Sequence, residues 1–138
     1  MNKKPLFTPQ TEWTLPIIFP DLRDRKEIAI DLETKDPFLK THGSGSVVGR
    51  GCVTGFAVAV EGWAGYYPIA HEGGGNMDKK TVLEWVKQVL LTDADKIFHN
   101  AMYDVCWLRA MGFKINGRII DTMIATSLID ENRGRYDL

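Results

Sequence analysis

Cysteine is almost absent. Cys52 and Cys106 are the only two in 138 residues and no C-x-x-C pair exists, which excludes a disulfide framework and the common zinc spacing. Both are expected to be reduced thiols filling small, buried apolar positions. Long apolar runs are missing as well: nothing approaches the roughly 18 residues of a membrane span, and the opening MNKKPLFTPQ lacks the apolar stretch of a signal peptide. The expectation is a cytoplasmic protein with no membrane partner. Nor does charge of one sign accumulate. With 17 Lys and Arg against 18 Asp and Glu, no broad basic surface exists to hold duplex nucleic acid by counterion release, although a local site stays open. Glycine is present but in no phosphate-cradling arrangement. Gly73 to Gly75 and the glycines between 43 and 51 match neither G-x-x-x-x-G-K-[ST] nor G-x-G-x-x-G and read as turn residues.

What remains is a globular composition, 44% hydrophobic and 25% charged, in a chain long enough to bury about two-thirds of its unfolded surface as one domain. Such a core needs no metal staple, so any metal would serve chemistry. Residues 1–25 carry Pro5, Pro9, Pro16 and Pro20, which resist both helix and central strand. They read as an extended arm, with Trp13, Ile17, Ile18 and Phe19 available to pack it onto the domain formed by residues 26–138. KEIAIDLET at 26–34 alternates, placing Ile28, Ile30 and Leu32 on one strand face and Ala29, Asp31 and Glu33 on the other. Residues 35–51, rich in glycine, read as a long loop. CVTGFAVAV at 52–60 is apolar on both faces, as a central strand should be, and Glu61-Gly62 begins an antiparallel return through AGYYPIAH. These three strands form a meander. Asp78 is suited to cap a helix over 79–91, whose Val82, Leu83, Val86, Val89 and Leu90 make an apolar stripe. Short strands at 96–99 and 118–121 then alternate with helices at 101–111 and 122–130. The order βββαβαβα specifies an α/β fold, a mixed sheet with flanking helices.

Asp31 and Glu33 are the first residues that invite a chemical reading. Two apart on an otherwise apolar strand, their carboxylates leave one face about 6.6 Å apart along the chain. Neighbouring like charges raise one another's pKa and destabilise a fold unless solvent, donors or a cation compensates, and hard divalent cations take oxygen ligands of this kind. Solvated acids at an exposed strand end explain the pair equally well. Asp104 falls in the first turns of the helix that follows FHN, where the helix dipole alone would accommodate it. Asp121 is placed to cap the helix at 122–130. His71 and His99 share no motif spacing and read as core or surface residues, and Trp85 and Trp107 as packed helix residues.

Taken together and in order, these motifs resemble the proofreading 3'-5' exonuclease domain of family A (polymerase I-like) DNA polymerases, within the DnaQ-like, RNase H-like superfamily. IAIDLET resembles that family's first motif at Asp31 and Glu33, and HNAMYD its second at Asn100, Tyr103 and Asp104. The segments at 62–72 and 119–130 also resemble the family's third strand and the helix after its fifth, and the arm WTLPIIFPDLRD is similar to phage-type members. One element is missing: no Tyr-x-x-x-Asp pair, the family's third motif, occurs in the sequence. The ending RYDL resembles the lead-in to that segment, so the chain is expected to be a truncated piece without its C-terminal helices.

The resemblance implies an RNase H-like fold and metal-dependent hydrolysis of the 3'-terminal phosphodiester of DNA, with two divalent cations, Mg²⁺ or Mn²⁺, as cofactors. It implies that Asp31, Glu33 and Asp104 are catalytic and hold the metal ions, with Asp31 shared between the two. Thr34, Asn100 and Phe38 would bind the terminal nucleotide, while Asp121 and Tyr103 would support the site from behind. The implied partners are a single-stranded or frayed DNA 3' end and a polymerase domain in the same longer chain, in the cytoplasm of a bacterial or phage-infected cell. The fragment alone is then expected to be a weak or inactive nuclease. Two other readings stay open, a noncatalytic exonuclease-like scaffold and an RNase D-like RNA exonuclease.

Overall fold

A computed structural model describes residues 14–136 of the chain. Five strands, β1 (Glu27–Lys35), β2 (Cys52–Val60), β3 (Trp63–Pro68), β4 (Asp95–Phe98) and β5 (Ile119–Asp121), form one sheet in the order β3-β2-β1-β4-β5. β1, β2 and β3 are antiparallel neighbours, the expected meander, whereas β4 and β5 join parallel to β1. Parallel neighbours need long crossovers, supplied by helices α3 (Lys79–Leu91) and α4 (Ala101–Ala110). A last helix, α5 (Thr122–Ile129), follows β5 directly. Among the described residues no helix is long and apolar enough to cross a membrane.

Alternation along β1 holds as read: Ile28, Ile30 and Leu32 are buried, while Asp31 and Glu33 face solvent. The buried face joins Phe56 and Val58 of β2, Tyr67 of β3 and Phe98 of β4 in one core with Val82, Trp85, Val86, Val89 and Leu90 of α3 and Val105, Trp107 and Leu108 of α4. α3 begins as expected, with Asp78 accepting from the Thr81 amide at 2.8 Å. Its stripe differs in one place, because Trp85 is buried and Leu83 only half-buried. One buried residue was not foreseen as such. Lys96 on β4 is fully buried and its ammonium donates to the carbonyls of Thr92, Ala94 and Asn116, with burial lowering its pKa.

Other expectations are corrected. The 35–51 segment is no plain loop: it folds into two single helical turns, α1 (Leu39–His42) and α2 (Gly45–Val48). Gly45 is required there, since a Cβ would lie 2.0 Å from the Arg50 carbonyl oxygen. Cys52 is exposed at the first position of β2 and Cys106 is half-buried on α4, so neither fills a buried core position. In the arm, Ile17 is 94% exposed and Ile18 is exposed as well. Phe19 does the packing, 5.2 Å from the Tyr67 ring and 5.6 Å from Trp85, and the Tyr67 hydroxyl and Trp85 indole hold the Ile18 and Pro20 carbonyls. Trp13 lies outside the described residues.

The opposite face of the sheet carries several alanines and no helix from this core. Ala29, Ala57, Ala59 and Ala64 floor an open trough of about 810 Å³, walled on one side by Thr14–Ile18, with Asp31 and His99 also lining it.

Candidate active site

β4 pairs with β1 only from Glu27 to Ala29, so β1 runs on past the end of its neighbour. The backbone there loses its partner, and a buried N–H must find another. Asp104 supplies it: from the first turn of α4 its Oδ1 accepts from the Leu32 amide at 3.2 Å. Leu32 is the residue between Asp31 and Glu33. Asp104 is therefore held at the shared edge of the two motifs, 3% exposed.

Two turns of chain make that placement. Asn100 stands between β4 and α4 in the left-handed region, φ 66° and ψ 56°, a conformation Asn tolerates better than most residues and one that helps turn strand into helix across the two residues His99 and Asn100. Asn100 makes no side-chain cap. Asp121 does that work from the end of β5, its carboxylate accepting from the Asn100 and Ala101 amides at 3.1 and 2.8 Å and from Met123 and Ile124 at the start of α5. The capping expected for α5 thus extends to α4, across 20 residues of sequence. Burial pushes the Asp121 carboxyl upward, but these four donors more than offset it and hold its pKa below the usual value.

Electrostatics separate the acids. Burial raises the Asp104 pKa to about 7, and the charge of Asp31 adds to the rise; the Leu32 amide opposes it. Asp31 is also raised, by partial burial, with His99 acting in the other direction. None of the ion pairs among the described residues reaches Asp31, Glu33 or Asp104. Glu33 stands a further two residues along β1, and among the described residues no three His, Cys, Asp or Glu side chains are grouped closely enough to form a metal cage. What the structure brings together is Asp31 with Asp104, with Glu33 beyond them on the same strand face.

The remaining predicted residues surround this pair. Thr34 is tied to Tyr103: its Oγ1 lies 2.8 Å from the Tyr103 hydroxyl, which donates to Asp36 Oδ2 at 3.1 Å. Asp36 Oδ2 also accepts from the Gly45 amide, so Tyr103 links β1, α4 and α2. The tyrosine has one proton, and since it is donated to Asp36 Oδ2, it is Thr34 that donates to the tyrosine oxygen. Phe38 is exposed at the head of α1 with the Arg50 guanidinium 5.5 Å from its ring centre. Sequence reasoning set aside His99, which the structure puts on the rim of the trough beside Asp31, its Nδ1 2.9 Å from Thr122 Oγ1. Asp36 was missed altogether. Its only local signal is its place three residues after Glu33.

A family profile described as 3'-5' exonuclease matches residues 6–138. The chain belongs to the 3'-5' exonuclease family. A relative of this exonuclease-family chain, a DNA-directed DNA polymerase of Pseudomonas phage M6, is 35% identical over 144 residues, covering 97% of this chain and 21% of its own length. The chain thus spans about a fifth of the relative it matches. Among solved structures, Brucella melitensis NrnC with bound Mg²⁺ superposes with a TM-score of 0.59 at 21% identity, over 86% of this chain and 53% of that one. The catalytic core of RRP6 from Trypanosoma brucei gives 0.54 at 24% identity, over 75% and 25%. At such identities these two establish the fold, an α/β RNase H-like sheet with flanking helices.

Proposed function

We propose that this exonuclease-family chain hydrolyses the 3'-terminal phosphodiester of DNA as the proofreading module of a DNA polymerase. The observation that carries the reading is the Asp104 carboxyl bonded to the backbone between Asp31 and Glu33, lifted to about 7 by burial and by Asp31. A carboxyl raised by burial and by a neighbouring carboxylate, with no ion pair among the described residues to offset it, forms a site short of positive charge. Hard divalent cations supply that charge through oxygen ligands, and Asp31, Glu33 and Asp104 are the residues that would hold Mg²⁺ or Mn²⁺ here. When bound, such ions lower the pKa of water and stabilise charge developing on phosphate oxygens.

The chain's own residues have separable tasks in this reading. Asp31 and Asp104 hold the negative potential that collects the ions, and Glu33 extends it along β1. In this reading Thr34, hydrogen-bonded to Tyr103, and Asn100, exposed at the turn before α4, would meet the terminal nucleotide, and the exposed Phe38 would wedge its base. Asp121 fixes the start of α4 and so the height of Asp104 above β1. A frayed end suits the open trough, because an unpaired nucleotide costs little to deliver. The polymerase assignment rests on the phage relative, and a polymerase domain in the same longer chain is its natural partner.

The test uses the full-length protein that carries this sequence, with 3'-labelled single-stranded DNA and Mg²⁺. Release of nucleoside monophosphates is expected, slowed at least about 10²-fold in Asp31→Asn, since several kcal/mol of charge stabilisation are lost. A wild-type rate in that variant overturns the catalytic reading in favour of a scaffold, and faster digestion of RNA of the same sequence overturns the DNA assignment.

A further inference from the structure

Beside the acids, the open face carries a tyrosine that neither motif explains. The strand registers place Asp31, Ala57 and Tyr66 in one cross-strand row, and Glu33 and Gly55 in the next. Side chains in one row normally stand over their own row. Tyr66 does not: a Cβ built on Gly55 would fall 2.1 Å from the Tyr66 hydroxyl oxygen, 2.4 Å from Cζ and 2.7 Å from Cε2. Its ring therefore leans across Gly55, and its hydroxyl occupies the space that the residue opposite Glu33 leaves empty. Gly55 has no positive φ, so its backbone does not call for glycine. The tyrosine ring does, which is the usual reason for glycine inside a strand where another group approaches closely.

The lean is fixed from the other side. His71 Nε2 is hydrogen-bonded to the Tyr66 hydroxyl, and the two rings meet edge to face with centroids 5.8 Å apart. His71 is itself clasped by Asn76, whose side chain accepts from the His71 amide at 2.7 Å and donates to its carbonyl at 2.8 Å. An ion pair between Lys35 and Glu72 ties the same turn to the end of β1. Burial, and after it the charge of Glu33, raises the Tyr66 pKa, which agrees with a phenol held near that carboxylate.

We propose that Tyr66, braced by His71, is a positioning residue for Glu33. The proposal rests on the metal-dependent nuclease reading above. Glu33 is a solvent-facing side chain with several rotamers, and fixing it costs entropy when it must act as a ligand. A phenol standing over Gly55 limits those rotamers and, with His71 Nε2–H donating to its oxygen, can donate its one proton to the carboxylate or to a water bound beside it. Partners of this outer kind change metal affinity or activity by about 10–100-fold when removed.

The test measures Mn²⁺ binding by electron paramagnetic resonance, and kcat and KM on single-stranded DNA, for the full-length wild type, Tyr66→Phe, Gly55→Ala and Asp31→Asn. Tyr66→Phe keeps the ring and loses only the hydroxyl. It is expected to weaken Mn²⁺ binding about tenfold and to lower kcat with KM for DNA unchanged, while Tm stays within a degree or two. Gly55→Ala, which must push the ring aside, is expected to reproduce the Mn²⁺ defect. Wild-type Mn²⁺ affinity in Tyr66→Phe, alongside a strong defect in Asp31→Asn, overturns this inference and leaves the nuclease reading standing. Wild-type Mn²⁺ affinity and rate in Asp31→Asn overturns the nuclease reading, and this inference with it.

Discussion

On one face of the sheet Ile28, Ile30 and Leu32 lie in a core with α3 and α4 and are almost fully buried, whereas on the other Ala29 and Asp31 line an open trough floored by alanines and Glu33 faces solvent. Both faces belong to one nine-residue strand. The first is governed by apolar area removed from water; the second by carboxylates, of which Asp31 helps burial to raise the pKa of Asp104. Stability and function are thus written on alternate residues. The strand can hold the acids only because its other half is anchored so heavily.

Truncation on the buried side is the strongest way to probe this contrast. Phe56→Ala, opposite Leu32 on β2 and fully buried, is expected to cost about 3–5 kcal/mol in denaturant unfolding. Ile97→Ala, a half-buried residue of the trough, should cost roughly 1 kcal/mol. Equal losses would mean that the trough is as closely packed as the core.

The acidic side gives an effect that depends on pH. The folded chain keeps a proton on Asp104 up to about pH 7, while in the unfolded chain the group loses it near 3.8. Between those values the folded state binds more protons, so this group's contribution to stability is largest below pH 4, falls as pH rises toward 7, and is flat above it. The slope is at most about 1.4 kcal/mol per pH unit. Asp104→Asn removes that fall, so at pH 8 without metal the variant is expected to be more stable than wild type. An unchanged pH slope in urea titrations would show that Asp104 ionises freely in the fold.

Much of this contrast was legible in the residues. Alternation along 26–34 separated the two faces of β1, Asp78 marked the start of α3, and the two motifs pointed to Asp31, Glu33 and Asp104. What could not be read was nonlocal. Asp104 looked like a helix-dipole acid, but its partner is the Leu32 amide 72 residues away, exposed to it because β4 stops short. Asp121 was expected to cap one helix and caps two, since β5 ends beside the start of α4. Gly55 and Tyr66 are unremarkable letters until the register sets one under the other. The turns in 35–51 were missed because each is a single helical turn, too short for a periodic pattern, held by Asp36 bonds to Gly45 and Tyr103. The buried thiols were expected from cysteine's general preference, which the place of Cys52 at the first position of β2 overrides.

The central claim is that Asp31 and Asp104 form a site short of positive charge. The most direct test is the unfolding temperature of the full-length protein as Mg²⁺ or Mn²⁺ is added, for wild type, Asp31→Asn and Asp104→Asn. An ion that binds only the folded state at a hundredfold excess over its Kd stabilises it by about 2.7 kcal/mol, a rise of several degrees. The account predicts that rise in wild type and its loss in both variants. No rise in wild type, or the same rise in all three proteins, would contradict it.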